Sequence, residues 1–276
     1  MRKRVTRALV LLAALLAVLY GAVFAARLGD AELENSEAMD TGLHRTVAIF
    51  GATGTIGDGL LKAVINDPAT DTVYVLTRRS SPRIDAGVAS GDVTMVLHTD
   101  YQDYSAVGDI LAEVDSVYWA IGLSAAGLDE DTYREIHVTL PTRFLSEWLA
   151  SSSKPGRSFH YVSGGGAHAD SRMMWAREKA RAESELSNLA KGSTVRVVSY
   201  RPSFILPTDA EVHIGHRVVY AIFAPLKLAV AAESIGEAML EVSARGDQLP
   251  SGAVLENGEI VGYREAYTRR QEFARE

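Results

Sequence analysis

The chain of 276 residues is 47% hydrophobic and 23% charged, with 35 acidic against 28 basic side chains and no cysteine. That length suits one large domain, and the missing cysteine excludes a disulfide framework, a thiolate metal site and a cysteine nucleophile. The bases are unevenly placed: Arg2, Lys3, Arg4 and Arg7 stand in an N-terminal stretch without acids, so the rest of the chain is strongly acidic. Such a surface repels phosphate backbones, and nucleic acid is not an expected partner.

From Ala8 to Ala26 the sequence runs without a charge. As a helix at about 1.5 Å per residue it reaches roughly 28 Å, close to the hydrocarbon core of a bilayer. Residues 1–26 are therefore read as one N-terminal transmembrane helix, an uncleaved anchor. The competing reading is a cleavable signal sequence, with Val23 and Ala25 suited to a cleavage site. Bases before the apolar run and acids after it place the domain on the far side of the membrane from the cytoplasm. Residues 27–45 are rich in acids and read as a solvated linker. The folded domain spans 46–262, and the alternating charges of 263–276 read as a solvated tail or a protein contact.

The first strand, Thr46 to Phe50, leads into Gly51-Ala-Thr-Gly54-Thr-Ile-Gly57, and an apolar helical pattern follows through Leu60, Leu61, Val64 and Ile65. Strand, glycine turn and helix in this order form a dinucleotide fingerprint. Gly51 permits the sharp turn, Gly54 leaves room for a pyrophosphate, and Gly57 lets helix and strand pack closely. The phosphates would sit at the helix N-terminus, on the backbone of Thr53, Gly54, Thr55 and Ile56. About twenty residues beyond the last glycine an acid would hold the ribose of NAD. Thr77, Arg78 and Arg79 stand there instead. A guanidinium pairs with a 2′-phosphate, so NADP is expected ahead of NAD. A solvated basic turn is the alternative reading of the same residues.

A third strand, Val93 to His98, ends before Asp100, a candidate for the adenine amino group. The fourth, Asp115 to Ile121, runs into the small-residue loop Gly122 to Gly127, where Ile121 and Gly122 would border the cofactor. A helix follows from about Asp131 to Ala150, with Pro141 expected to kink it or to start its second part. Next come Phe159-His-Tyr161-Val-Ser163-Gly-Gly-Gly166-Ala-His168 and a helix carrying Trp175, Lys179 and Glu183.

The glycine turn, the strand-ending Ser163, Lys179 on the next helix and Tyr200-Arg201-Pro202-Ser203 together resemble the extended or atypical branch of the short-chain dehydrogenase/reductase superfamily, over residues 46 to about 260. The resemblance implies an α/β fold, a Rossmann-type doubly wound parallel sheet with a small C-terminal substrate lobe. It implies that Ser163 holds the substrate carbonyl or hydroxyl and that Lys179 holds the nicotinamide ribose. The superfamily's tyrosine should occupy position 175, which is Trp175. A phenol can be brought toward neutrality and exchange a proton, whereas an indole N–H can only donate a hydrogen bond. His168 is the best substitute acid, with a solvated loop histidine as the alternative reading. Trp175→Tyr is expected to raise reductase activity if the remaining site is intact.

Residues 203–227 carry the lobe, and Val218, Val219, Tyr220, Ile222 and Phe223 either line an apolar pocket or simply pack. His213 and His216 lack a third ligand at a supporting spacing, and no metal is expected. Residues 233–243 read as an amphipathic helix and 252–260 as a final strand and turn. The reading that results is a membrane-anchored NAD(P)(H)-binding oxidoreductase acting on a small carbonyl or alcohol of unknown identity, with a homodimer admitted. A dinucleotide-binding sensor or assembly factor without turnover is the alternative.

Overall fold

The computed structural model describes residues 39–151, 153–209 and 211–275, together with 14, 15, 17, 18, 20–25 and 33. Strands β1 (Thr46–Phe50), β2 (Thr72–Thr77), β3 (Thr94–Leu97), β4 (Ser116–Trp119), β5 (Arg157–Val162) and β6 (Val195–Arg201) alternate with helices α1 (Thr55–Ile65), α2 (Pro82–Ser90), α3 (Gly108–Glu113), α4 (Glu130–Arg134), α5 (Leu140–Ser151) and α6 (Met174–Leu189). The lobe holds β7 (Phe204–Leu206), α7 (Ile214–Phe223) and β8 (Ala229–Ala231); α8 (Ala232–Ala244), β9 (Ala253–Glu256) and α9 (Asn257–Phe273) complete the chain. The main sheet has the order β3-β2-β1-β4-β5-β6-β9, every pair parallel. The order reverses between β1 and β4, where ligands of open α/β sheets lie.

β1 reads as a continuous apolar run because it is covered on both faces. Val47 and Ile49 face one layer, with Leu60, Leu61 and Val64 of α1, Ile235 and Met239 of α8, and Ile260 of α9. Ala48 and Phe50 face the other, where Phe50 stacks on Trp119 at 4.7 Å and meets Phe144 edge-on at 4.6 Å. Deleting a ring this deeply placed costs about 3–5 kcal/mol. Two buried arginines close helix ends: Arg157 donates to the Trp148 carbonyl near the end of α5, and Arg196 to the Val242 carbonyl near the end of α8. A cation there also meets the negative end of the helix dipole.

The helix expected over 131–150 is broken by a single π-helical turn, Glu135–Thr139, between α4 and α5. Leu140 donates to the Glu135 carbonyl, five residues back. Pro141 has no N–H to offer the His137 carbonyl, and that carbonyl accepts the Tyr161 hydroxyl instead, at 2.8 Å. The proline thus redirects one backbone acceptor toward β5.

Several boundaries differ from the expectation. The folded part begins before Thr46: Asp40 N–H donates to the Ala244 carbonyl, and His44, wholly buried, bonds Asp67 at 3.1 Å. The final strand stops at Glu256, and the capping box of Glu256 and Glu259 starts α9 directly. Residues 263–273 are not a solvated tail but the second half of that helix. Tyr263, Ala266 and Tyr267 supply an apolar stripe, while Arg264 and Arg270 pair with Glu237 and Glu241 of α8. Alternating charges hid a stripe only three residues wide. Of the expected anchor, residues 1–13, 16, 19 and 26 lie outside the described residues, as do 27–32 and 34–38 of the linker. Among the described residues no helix is long and apolar enough to cross a membrane. The lobe is a two-stranded parallel pair with α7, none of whose residues is buried.

Candidate active site

Parallel strands bring the loops that follow β1, β2, β3, β4 and β5 to one edge of the sheet. Gly51 turns with φ +80°, and a Cβ there would lie 2.6 Å from the Ala120 carbonyl, so the turn rests directly on the end of β4 beside Ile121. Gly57 is just as constrained, since its Cβ would fall 2.0 Å from the Gly51 oxygen. Gly54 differs: it has extended backbone, and an added Cβ would meet only the Gly51 oxygen, at 3.5 Å. Two glycines are thus required by the protein's own packing, and the third leaves open the space that a pyrophosphate would use. No side chain caps the first turn of α1. Its N–H groups and positive dipole end are suited to an anion. Thr53, Thr55 and Ile56 are half-buried on this turn, and the Thr55 hydroxyl donates to Glu211 of the lobe at 2.6 Å.

Arg78 and Arg79 are exposed just past β2, on a turn held by the Thr77 hydroxyl, which donates to the Arg79 carbonyl at 2.6 Å. Arg78 stands 6.0 Å over the Tyr101 ring, which joins the ends of β2 and β3. Among the described residues no carboxylate pairs with either arginine, whereas nearby Arg83 is committed to Asp58. Asp100 is exposed and accepts from the Gln102 N–H at 2.9 Å, closing its own turn. Gly122 is exposed at the end of β4, directly over His137, whose ring a Cβ at 122 would meet at 2.8 Å.

The helix α6 presents Trp175, Lys179 and Glu183 at intervals of four, hence on one face. Glu178 on its flank is held bidentately by Arg134, and Arg177 pairs with Glu130, fixing α6 against α4. Trp175 is half-buried and lies over the glycine loop: Cβ atoms at Gly164 and Gly166 would be 3.6 and 3.7 Å from its ring. Lys179 is 6% exposed and donates to the Val162 carbonyl at 2.8 Å and to the Tyr161 hydroxyl at 3.2 Å. Burial lowers its pKa to about 7, against a smaller opposing pull from Glu183. Tyr161 is fully buried, and burial pushes its phenol well above the ordinary value. His137 is held down to about 3, by burial first and then by the Lys179 charge. Its Nε2 lies 3.1 Å from the Leu123 carbonyl, and its ring stacks on Tyr133 at 4.0 Å.

Ser163 sits at the end of β5 with 8% exposure, and its hydroxyl donates to Glu183 Oε1 at 2.5 Å. Glu183 also accepts two bonds from Arg201, Nε to Oε1 at 2.8 Å and Nη2 to Oε2 at 2.6 Å. Arg201 reaches on to Glu256 with Nη1 at 2.8 Å, and its bonds to Glu183 raise its own pKa. His168 stands apart from this network: it is exposed, and its Nδ1 accepts from the Asp170 N–H at 3.2 Å.

The structure therefore brings the glycine turn, Arg78, Arg79, Ile121, Gly122, Ser163 and Lys179 to one edge, with Trp175 over it and His168 on the outside. Glu183, Arg201, His137 and the Tyr161 hydroxyl are the participants that spacing did not single out. Only Glu183 had a usable signal, its place one helical turn beyond Lys179.

No family model matches the chain. Among curated proteins it is 26% identical over 145 residues to leucinostatins biosynthesis cluster protein T of Purpureocillium lilacinum, covering 51% of this chain and 51% of that one. The chain thus spans about half the length of that relative. It is 25% identical over 223 residues to protein fmp52, mitochondrial, of Emericella nidulans, covering 75% of this chain and 91% of that one. Among solved structures, a short-chain dehydrogenase/reductase family oxidoreductase from Burkholderia thailandensis aligns with a TM-score of 0.60 at 22% identity, over 84% of this chain and 98% of that one. A 3-oxoacyl-[acyl-carrier protein] reductase from Brucella melitensis, in complex with NAD, aligns with a TM-score of 0.61 at 18% identity, over 79% and 98%. With its seven parallel strands and glycine turn, the chain has a Rossmann fold, the fold that it shares with these two structures.

Proposed function

We propose that this chain is an NADP(H)-binding protein of the dehydrogenase type that keeps the cofactor cradle and has given up the superfamily's usual proton transfer. The observation that carries this reading is the commitment of the Ser163 proton to a carboxylate already held by Arg201. Trp175 stands in the position of the expected tyrosine, so neither residue offers an exchangeable proton to a carbonyl. The cradle supports dinucleotide binding because Gly54 alone of the three glycines leaves room that the protein does not fill. Bound NADP(H) would supply or accept a hydride. Arg78 and Arg79 would hold its 2′-phosphate, the first turn of α1 its pyrophosphate, and Lys179 its ribose. Attachment to a membrane through residues 8–26 belongs to the same proposal and rests on their uncharged run behind four bases.

Calorimetric titration with NADPH and NADH, followed by a screen of carbonyl and alcohol substrates for change in NADPH absorbance, tests the proposal. Saturable NADPH binding with no turnover supports it, and absence of binding refutes it. A second reading, an oxidoreductase on a small carbonyl or alcohol, is favoured by Lys179, which burial leaves titrating near neutrality beside the reacting edge. Turnover in the screen that disappears in Lys179→Met would establish that reading instead.

A further inference from the structure

The Ser163 hydroxyl has one proton and two lone pairs. The proton points to Glu183 Oε1 at 2.5 Å, and both Glu183 oxygens also accept bonds from Arg201. A carboxylate whose two oxygens both accept from a guanidinium has no hydrogen to give, so the serine is the donor of the Ser163–Glu183 bond while Arg201 stays in place. What Ser163 can show to a ligand from its remaining exposed surface is a lone pair. Among its neighbours, Lys179 directs two of its donors to the Val162 carbonyl and the Tyr161 hydroxyl, and the Tyr161 proton goes to the His137 carbonyl.

We infer that Glu183, braced by Arg201, is a positioning residue that turns the Ser163 proton inward, so that a ligand reaching the exposed part of Ser163 at the end of β5 is met by an acceptor and is favoured when it carries an O–H or N–H donor, as an alcohol or an amide does. An acceptor-only group, such as a ketone or an ether, meets lone pair against lone pair there. The inference rests on the dinucleotide-binding reading only in that it places Ser163 beside the nicotinamide end of the cradle. It is the opposite polarity to a serine that polarises a carbonyl.

The test compares ligands of one shape that cannot react with a nicotinamide: 1-methylcyclohexanol against its methyl ether, with other tertiary alcohol and ether pairs. Each is titrated into the full chain in detergent, with and without NADPH, and NADPH binding is measured separately. The alcohol is expected to bind at least about tenfold tighter than its ether. Ser163→Ala should remove that difference while leaving NADPH affinity within about twofold. Glu183→Leu removes the acceptor and frees the serine proton, and Arg201 keeps Glu256 as a partner, so the alcohol-to-ether ratio of the variant should fall toward unity. In the Ser163→Ala background Glu183→Leu should change the ratio no further, a coupling that a merely structural role for Glu183 would not produce. Equal affinities, tighter ether binding, or no binding of any alcohol would overturn the inference. So would a ratio that survives Ser163→Ala, or one that survives Glu183→Leu in protein that still binds NADPH. Should Glu183→Leu not fold, the wild-type ratio and its loss in Ser163→Ala decide the matter. Failure of NADPH to bind would count against the dinucleotide reading, whereas the alcohol and ether comparison on the protein alone would still read the serine.

Discussion

Replacing Gly54 or Gly57 by alanine separates the cradle's two requirements, room for the ligand and packing within the protein. At Gly57 the new methyl would overlap backbone, lying 2.0 Å from the Gly51 oxygen, 2.5 Å from its carbonyl carbon and 2.8 Å from Ala52 Cα. Backbone cannot step aside as a side chain can, so α1 must move away from the turn. Overpacking of this kind costs about 1–3 kcal/mol, and the gain in helix propensity from glycine to alanine returns up to about 1 kcal/mol of it. A net loss of about 1–2 kcal/mol lowers the melting temperature by roughly 2–8 °C in a domain of this size. Displacing the N–H groups by about an ångström should also reduce NADPH affinity by about a hundredfold.

At Gly54 the backbone already suits alanine, and the only contact is the ordinary 3.5 Å one. The lost chain entropy of about 0.4–1 kcal/mol and a weaker cap of similar size nearly cancel, so the fold should be as stable as wild type. The methyl nevertheless occupies the open space of the cradle, and NADPH affinity should fall at least about tenfold, or about 1.4 kcal/mol. Thermal melts and calorimetry on both variants check the pair. Wild-type NADPH affinity in Gly54→Ala would refute the assignment of that space to the pyrophosphate, whatever Gly57→Ala does.

The remaining expectations concern charge, chemistry and location. NADPH should bind at least about tenfold tighter than NADH, and the double change Arg78→Ala with Arg79→Ala should erase the difference in calorimetry. Because burial lowers the Lys179 pKa from 10.5 to about 7, the unfolded chain holds more protons between those values. Stability should therefore rise with pH across that window, by up to about 1.4 kcal/mol per unit, and below about pH 7 the penalty is complete. Urea unfolding at pH 7, 8 and 9 should show this slope in wild type and lose it in Lys179→Met. Trp175→Tyr alone, expected from sequence to raise reductase activity, should leave NADPH consumption at background, because the Ser163 hydroxyl still donates to Glu183; a clear gain would show that the serine can reorient. The full chain should stay in the membrane fraction after carbonate washing with its N-terminus uncleaved, and a soluble product beginning near Arg27 would reveal a signal sequence instead.

The glycine-turn edge was legible because its determinants are local. Gly51 and Gly57 lie within one turn, the β-branched runs of β1 and β2 flank them, and parallel alternation carries each strand's following loop to the same edge. Arg78 and Arg79 could be placed by counting from the last glycine. The surroundings of Ser163 were less legible because their determinants are pairings across the fold. Glu183 meets Ser163 across 20 positions and Arg201 across 18, and Tyr161 reaches His137 across 24. No spacing rule connects such residues. Pro141 signalled a disturbance in its helix, but its consequence, a His137 carbonyl released toward β5, depends on what lies opposite. The end of the chain misled for a related reason, since charges that look solvated in α9 find their partners on α8.

The side chains that the superfamily resemblance would assign to chemistry are joined here into a brace. Along one face of α6, Trp175 covers the loop after β5, Lys179 ties down the Val162 carbonyl, and Glu183 clamps Ser163 to Arg201 at the end of β6. Arg134 holds the same helix to α4 from its flank. Buried charges are costly to remove from water, and a pair such as Glu183 and Arg201 is no strong source of net stability. Breaking it from one side, however, typically costs about 3–5 kcal/mol, so each partner keeps the other in place. That asymmetry favours a fixed geometry over a strong one. A serine meant to alternate between donating and accepting a proton during turnover needs partners that can change protonation with it. Ser163 has instead a carboxylate whose two oxygens both accept from one guanidinium, an arrangement suited to presenting one unchanging hydrogen-bond polarity at the end of β5.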